Sequence, residues 1–417
     1  MAGKNMIIAQ SGGPSSAINA SIAGAIVRAF ASDEIDKVFG AVNGMQGFLE
    51  KRIIDITDQL KSNDDIELLI HTPAQALGSS RYKLPKDDSE IFETILAILK
   101  EYDIGYFFYN GGNDSMDTVS RLAAFFKEKG EDIKALGIPK TIDNDLVETD
   151  HTPGFGSAAR YVATSIGELY LDTIVYPLPS VVVVEIMGRN AGWLTAASIL
   201  ARSENIPAPH LIFMPEVPFD DDDFIEKTRK LIESEGQIII AVSEGIRYAD
   251  GTYLADTGAE VDMFGHKTLG GVASMLESMI KEKIEIPKLK TRAIAFNTLQ
   301  RAAAHCASAT DLEESYQCGY RAVEAALEGK TDVMITINRV TDVPYTTYYA
   351  ASPLAGIANK EKAVPIDWID AENADVTDDF VKYARPLVRG ESTEKFEGGL
   401  PKFFRFDWTK LVDPKNL

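Results

Sequence analysis

The sequence predicts an α/β protein of two lobes, each a mostly parallel sheet flanked by helices, with a ligand site in the cleft where strand ends meet. Three observations predict it. Short apolar runs alternate with helical stretches along most of the chain, the pattern of parallel strands joined by crossover helices. The early strands run into turns rich in glycine, serine and acidic residues, at the carboxyl edge where open sheets bind ligands. A turn-rich join, Asp150-His151-Thr152-Pro153-Gly154-Phe155-Gly156-Ser157, is then followed by a second round of the same alternation.

The 417 residues, 45% hydrophobic and 25% charged, supply ample core, and this length corresponds to roughly two to three domains. The net charge of −21 argues against nucleic acid and anionic membrane surfaces as partners, since both need a basic footprint. It also repels anionic substrates, so any phosphate site must come from locally clustered Arg and Lys. Two cysteines, Cys306 and Cys318, with no CxxC, fit a reducing compartment and supply neither a disulfide framework nor a zinc site. The five histidines are scattered. No apolar stretch approaches the ~18 residues of a membrane span, and the run Met6–Ala9 is too short for a signal peptide core. A soluble, cytoplasmic protein is expected.

Met6–Gln10 reads as the first strand and runs into Ser11-Gly12-Gly13-Pro14-Ser15-Ser16 ahead of a helical stretch, Ala17–Phe30. A strand, a glycine turn and a helix N-terminus present backbone N–H groups to an anion. The turn is neither a Walker loop nor GxGxxG, so a connection without a ligand stays open here. Lys37–Val42 is a second strand. Further on, Arg81 and Lys83 stand at i and i+2 beside Gly78, on one side of an extended loop, as a phosphate clamp needs. Solvated surface charge is the alternative.

Ile104–Tyr109 is a strand of aromatic and β-branched residues that ends in Asn110-Gly111-Gly112-Asn113-Asp114-Ser115, before a helix from about Met116 to Lys127. Ser115 suits an N-cap, while Asp114 puts a carboxylate in the turn. Ile133–Ile138 is a buried strand followed by Pro139-Lys140-Thr141-Ile142-Asp143-Asn144-Asp145. Two carboxylates two residues apart, with a cation and a hydroxyl, suit moving a proton beside a charged anion. One carboxylate can deprotonate an alcohol, the other can help hold a metal, and the lysine can stabilise charge on a transferring group. An Asx-rich connecting turn is the plain alternative. Turns at the ends of three strands of one sheet converge on one crevice, and that convergence carries the reading.

After the join, a helix is expected over about Ala158–Thr173, and Ser180–Ile186 is a nearly pure valine strand of the buried parallel type. It ends in Met187-Gly188-Arg189-Asn190-Ala191-Gly192. Strand His210–Met214, helix Phe224–Glu233 and strand Gln237–Val242 follow, the last ending in Ser243-Glu244-Gly245. A glycine-rich helix start at Leu269–Gly271 precedes a strand at Thr291–Phe296 and then Asn297-Thr298-Leu299-Gln300-Arg301. This second set of strand ends carries Arg189, Glu244, Arg292 and Arg301. Arginine forks suit a phosphate ester and a carboxylate suits sugar hydroxyls, although a surface ion pair is the commoner fate of a lone arginine. Asp311–Glu328 reads as a long helix and Asp332–Ile337 as a strand; from about Asp342 the tail is less periodic, and its acidic part, Asp367–Asp379, reads as a solvated face.

Together, SGGP, GGNDS, PKTIDND, HTPGFGSA, MGRNAG, SEG and the Arg292…Gln300-Arg301 set resemble, in this order and over about residues 4–340, the phosphofructokinase family, and more closely its pyrophosphate-dependent branch. The resemblance implies two Rossmann-like lobes and reversible transfer of a phosphoryl group from pyrophosphate to the 1-hydroxyl of fructose 6-phosphate, with Mg2+ as cofactor. It implies Asp143 as the base that deprotonates the sugar hydroxyl, with Thr141 and Asp145 alongside, and Lys140 and Arg189 on the transferring group. Met187, Gly188 and Arg189 are expected on the sugar phosphate ester, Glu244 on the sugar, and Arg292, Thr298 and Arg301 with them. In the family the first of the paired arginines reaches in from a neighbouring subunit, so a homodimer or homotetramer is expected. Gly12, Gly13, Arg81, Lys83, Gly112, Asp114 and Ser115 are expected on pyrophosphate, with Asp114 and Asp143 toward the metal.

Asp114 and Lys140 stand where ATP-using relatives have glycine. A carboxylate at 114 crowds and repels a nucleotide α-phosphate, and Lys140 supplies charge when the leaving group is plain phosphate. Three positions depart from the pattern: Asn113 replaces an acidic, magnesium-associated residue, Ser180 a second subunit-crossing arginine, and Thr298 a histidine or tyrosine. The expected division is residues 1–155 rejoined by about 302–350, and 156–301 rejoined by part of 351–417. The rivals weighed are an ATP-dependent kinase, sedoheptulose 7-phosphate as substrate, and a non-catalytic regulatory subunit.

Overall fold

The computed structural model describes residues 3–80, 82–85, 89–255, 271–393 and 395–417. Eleven of its strands matter for the site. They are β1 (Lys4–Gln10), β2 (Ile35–Ala41), β3 (Ile53–Asp55), β4 (Ile104–Gly111), β5 (Lys134–Pro139), β6 (Ser180–Ile186), β7 (Leu211–Phe213), β8 (Gln237–Ser243), β9 (Lys290–Ala295), β10 (Val333–Asp342) and β11 (Tyr345–Pro353).

Period-two alternation decides which helix layer each strand residue meets. In β1, Ile7 and Ala9 join the core with the helices Ser89–Glu101 and Asn113–Glu128. Met6 and Ile8 join the core on the other face with Ile18–Phe30 and Ala309–Leu327. The valine strand β6 divides in the same way, Val182 and Val184 to one face and Val181 and Val183 to the other. Both faces of both sheets are thus covered, as parallel sheets require.

The seven-stranded sheet has the order β11-β10-β5-β4-β1-β2-β3. It is parallel from β10 to β2, with antiparallel edges β3 and β11. The four-stranded sheet, β7-β8-β6-β9, is parallel throughout. In the larger sheet β1 lies between β2 and β4, so the chain departs from it in opposite directions. The carboxyl edge between β1 and β4 is therefore the switch point at which such sheets bind ligands.

Several elements differ from expectation. The helices Gly44–Leu49, Asn63–His71 and Ser89–Glu101 fill the stretch between β2 and β4, where only turns and the Gly78 loop were read. The tail past Asp342 is not irregular, because Tyr345–Pro353 pairs antiparallel with β10. Its Tyr, Thr and Ala residues are nearly all half-buried or exposed at the sheet edge, which leaves little apolar contrast to read. The acidic stretch exposes Asp367, Glu372, Asp378 and Asp379, as a solvated face should, and also docks on the smaller sheet: Ile212 N donates to Ala374 O (2.7 Å) and Asp375 pairs with Arg202 (2.7 Å). The last residues return to the larger sheet, with Val412 N donating to Ile53 O (2.8 Å) and Trp408 Nε1 to Ala76 O (2.9 Å). Among the described residues no helix is long and apolar enough to cross a membrane.

Candidate active site

A cleft of about 480 Å3 opens at the carboxyl ends of both sheets, lined by Gly12, Gly13, Asp114, Lys140, Asp143 and Asp145 on one side and Met187, Arg189, Glu244 and Arg301 on the other. The first side is built at the switch point. Gly112, in an extended conformation, caps the helix Asn113–Glu128, so the helix starts three residues before the expected Met116. Ser115 is therefore not its N-cap; its hydroxyl lies inside the first turn and meets the Ser11 hydroxyl across the β1/β4 seam. Gly111 is required there, since a Cβ would collide with both hydroxyls. The N-terminus of Asn113–Glu128, which lines the cleft from Gly112 to Ser115, carries no side-chain cap, so its first N–H groups remain available to an anion.

Lys140 is 3% exposed and donates from Nζ to Gly13 O (2.8 Å), which draws it under the first glycine turn. Gly12 has φ +74°, and a Cβ there would press on the same ammonium. Burial pulls the Lys140 pKa down to about 8, against the opposing pull of Asp143 and Asp145. A dehydrated ammonium on a phosphate-type turn gains most from an arriving anion. Asp143 opens on the cleft yet is ringed by protein: burial first, then the Asp145 and Glu244 carboxylates, push its pKa up to about 7, with Lys140 and Arg301 opposing. A carboxylate held there is suited to take a proton near neutral pH. Burial and Glu361 also raise Asp145.

The loop carrying these carboxylates is locked from behind. Asn144, fully buried between the two aspartates, sits at φ 55°, a left-handed conformation that Asn tolerates. Its amide donates to Tyr383 Oη (2.8 Å) and accepts from Thr152 N (3.0 Å), while Thr152 Oγ1 donates to Thr141 O (2.7 Å). The inward turn of Asn144 leaves both flanking aspartates facing the cleft.

His151 anchors the far end of this loop between Asp150 (2.8 Å) and Glu314 (2.6 Å). Burial works against the imidazolium, but Glu314 and Asp150 outweigh it and hold the pKa at about 9. The folded protein thus keeps a proton that the unfolded chain releases near pH 6.5. The associated stability is complete below that pH and is lost as pH rises through about 9. Chemical denaturation across this window is expected to show the wild type losing on the order of 2–3 kcal/mol relative to His151→Gln. Parallel pH profiles for the two proteins would contradict this reading.

On the second side, Glu244 Oε1 accepts from Gly188 N (3.4 Å) and Ser243 Oγ donates to Gly188 O, so the turns after β6 and β8 brace each other. Burial raises the Glu244 pKa, with Arg189 and Arg301 lowering it. Gln300 accepts from Met187 N (3.2 Å) and orients the short helix Leu299–Ala302, whose Arg301 guanidinium reaches so near Gly13 that a Cβ there would press on it.

Most of the expected site residues therefore meet in one cleft. Lys83 pairs with Asp114 at its mouth (3.3 Å). Gly188 stands just behind it. Arg292 and Thr298 are exposed and do not line it: Arg292 pairs with Asp172 (2.9 Å) on the outer surface of β9, and Thr298 precedes the Arg301 helix. Arg81 lies outside the described residues. The Asn113 side chain is engaged elsewhere, accepting from Asn359 N (2.8 Å) and donating to Lys360 O. The sequence reading missed Glu361, which lines the cleft, and Tyr383, which props Asn144. Both belong to the tail, where no motif marked them.

With this geometry in hand, comparison with known proteins identifies the family. The family described as Phosphofructokinase matches residues 5–326. The chain belongs to the phosphofructokinase family. It is 42% identical over 407 residues to the pyrophosphate–fructose 6-phosphate 1-phosphotransferase of Halomonas elongata, covering 96% of each chain. It is 41% identical over 422 residues to the protein of that name from Methylococcus capsulatus, covering 100% of this chain and 99% of that one. The crystal structure of a pyrophosphate-dependent phosphofructokinase from Marinobacter aquaeolei superposes with a TM-score of 0.87 at 40% identity, covering 98% of this chain and 97% of that one.

Proposed function

We infer that this chain catalyses reversible transfer of a phosphoryl group from pyrophosphate to the 1-hydroxyl of fructose 6-phosphate. The observation that carries the inference is the placement of Lys140, a buried ammonium drawn onto the first glycine turn, and the Asp143 carboxylate on one cleft. The names of the relatives from Halomonas elongata and Methylococcus capsulatus support both donor and acceptor.

In the proposed reaction pyrophosphate lies against the turns at Gly12, Gly13, Gly112 and Ser115, and the sugar phosphate lies toward Met187, Gly188, Arg189 and Glu244. Asp143 takes the 1-hydroxyl proton as that oxygen attacks the nearer phosphorus. The bond from this phosphorus to the bridging oxygen breaks, and inorganic phosphate leaves. Lys140, Arg189, Arg301 and the turn N–H groups hold the charge on the transferring group, in keeping with the dominance of positioning and electrostatics in phosphoryl transfer. Anhydride and ester are close in energy, so the reaction runs both ways.

The donor set fits Mg2+. Among the described residues no three His, Cys, Asp or Glu form a metal cage. Mg2+ is usually held by one or two carboxylates together with substrate phosphates and water. Asp143 and Asp114, both on the cleft, are the carboxylates that would hold it; the Asn113 side chain is committed to residues 359 and 360. When bound, the ion supplies positive charge to the phosphate oxygens.

We further propose a homodimer or homotetramer in which Arg292 serves the neighbouring cleft. Leu171, Val175 and Tyr176, 50–68% exposed beside its partner Asp172, supply an apolar surface for such contact. Residues 1–155 with 302–350 would form the pyrophosphate lobe, and 156–301 with part of 351–417 the sugar lobe. The free thiols Cys306 and Cys318 support a cytoplasmic setting.

The reverse reaction tests the donor chemistry. With fructose 1,6-bisphosphate, phosphate and Mg2+, pyrophosphate and fructose 6-phosphate are expected to accumulate together. Release of fructose 6-phosphate without pyrophosphate would contradict the assignment.

A further inference from the structure

Residues 359–364, part of a tail with no periodic signal, cross the cleft as a strap. On the first side Asn359 binds Asn113 Oδ1 through its N–H (2.8 Å) and Asp117 through its amide (2.9 Å). On the second, Asn190 Nδ2 donates to Glu361 (3.0 Å) and Val364 N donates to Glu216 (3.0 Å). Between these anchors lies Lys362. Its N–H donates to Asp145 O (2.8 Å), while its Nζ donates to the carbonyls of Thr149 (3.0 Å) and Asp150 (2.8 Å). The ammonium also lies 5.2 Å from the ring centroid of Trp193, whose Nε1 returns a bond to Lys362 O (2.8 Å). One residue thus grips the reacting loop at both ends of the stretch from Asp145 to Asp150.

Lys362 does not line the cleft, so it does not touch substrate. A half-buried ammonium satisfied by two loop carbonyls and an aromatic face resists any shift of that loop, because movement would break both hydrogen bonds and the ring contact together. The loop runs directly into Asp143, and a 1 Å misplacement of a reacting group costs about 100-fold in rate. We propose that Lys362 is a positioning residue for phosphoryl transfer, holding the loop that presents the Asp143 carboxylate. The proposal rests on the reading of Asp143 as the base.

The test is a double-mutant cycle in the full-length protein, with Lys362→Met and Asp143→Asn made singly and together. Lys362→Met is expected to lower kcat by about 100-fold, with both KM values within about threefold of wild type. Once the Asp143 carboxylate is gone, its position no longer matters, so the double variant should lie within about threefold of Asp143→Asn alone. Lys362→Arg, which keeps the charge and its donors, should recover at least about tenfold of the loss. A folded Lys362→Met enzyme with wild-type kcat and only a lowered melting temperature would overturn the proposal. So would losses that simply multiply in the double variant. If Lys362→Met does not fold, Lys362→Gln is put through the same cycle and judged by the same criteria. Failure of Asp143→Asn alone to slow turnover would instead overturn the base assignment.

Discussion

Asp143→Asn is expected to lower kcat by about 10²–10⁴-fold while leaving the KM values for both substrates close to wild type, the range over which a positioned general base contributes. The amide preserves the shape of the carboxylate and the hydrogen bond from its own N–H to Thr141 Oγ1 (3.1 Å), so the loop should survive the change. What disappears is the proton acceptor. Removing the Asp143 charge also relieves its burial cost and the repulsion that Asp145 and Glu244 exert on it, so the melting temperature should hold or rise. A variant retaining more than about a tenth of wild-type kcat would exclude Asp143 as the base. A variant that had lost affinity but not rate would make it a binding residue.

The donor assignment predicts the second large effect. Lys140→Gly should lower pyrophosphate turnover by about 10²–10³-fold, as loss of one preorganised charge partner does elsewhere. The effect is expected to be that large because Lys140 is buried on Gly13 O and cannot be replaced by solvent. Adding Asp114→Gly opens the cleft mouth, where Asp114 is 69% exposed and pairs with Lys83. That frees Lys83 for a nucleotide phosphate and removes the carboxylate that would repel it. The double variant should therefore use ATP measurably better than wild type. If it remains indifferent to ATP, the crowding argument at Asp114 is wrong, whatever has happened to pyrophosphate turnover.

Much of this architecture was legible in the sequence because its strands are apolar and end in glycine. β6, a run of valines covered on both faces, was placed at its observed bounds, Ser180–Ile186. The turns at Gly12, Asp114 and Asp143 were legible as a convergent set, since parallel strands of one sheet share a carboxyl edge. The strap was not legible, because nothing local distinguishes Asn359, Glu361 and Lys362 from surface polar residues. Their roles arise from contacts between 169 and 246 positions away in sequence, such as Trp193 with Lys362 and Asn359 with Asn113. The same holds for Tyr383, which follows an acidic stretch yet supports Asn144 through one hydroxyl. Asn113 was marked as a departure from the family pattern, but only the folded chain reveals its amide holding the strap. Arg292 has a partner within its own chain, Asp172, and its expected role depends on a neighbouring subunit.

The central claim is the choice of donor, and one assay tests it most directly: fructose 1,6-bisphosphate formation from fructose 6-phosphate and Mg2+, with pyrophosphate or ATP supplied separately to the purified protein. Turnover with pyrophosphate and none above background with ATP is the predicted result. Turnover with ATP alone would contradict the roles given to Asp114 and Lys140 while leaving the fold and the Asp143 assignment standing.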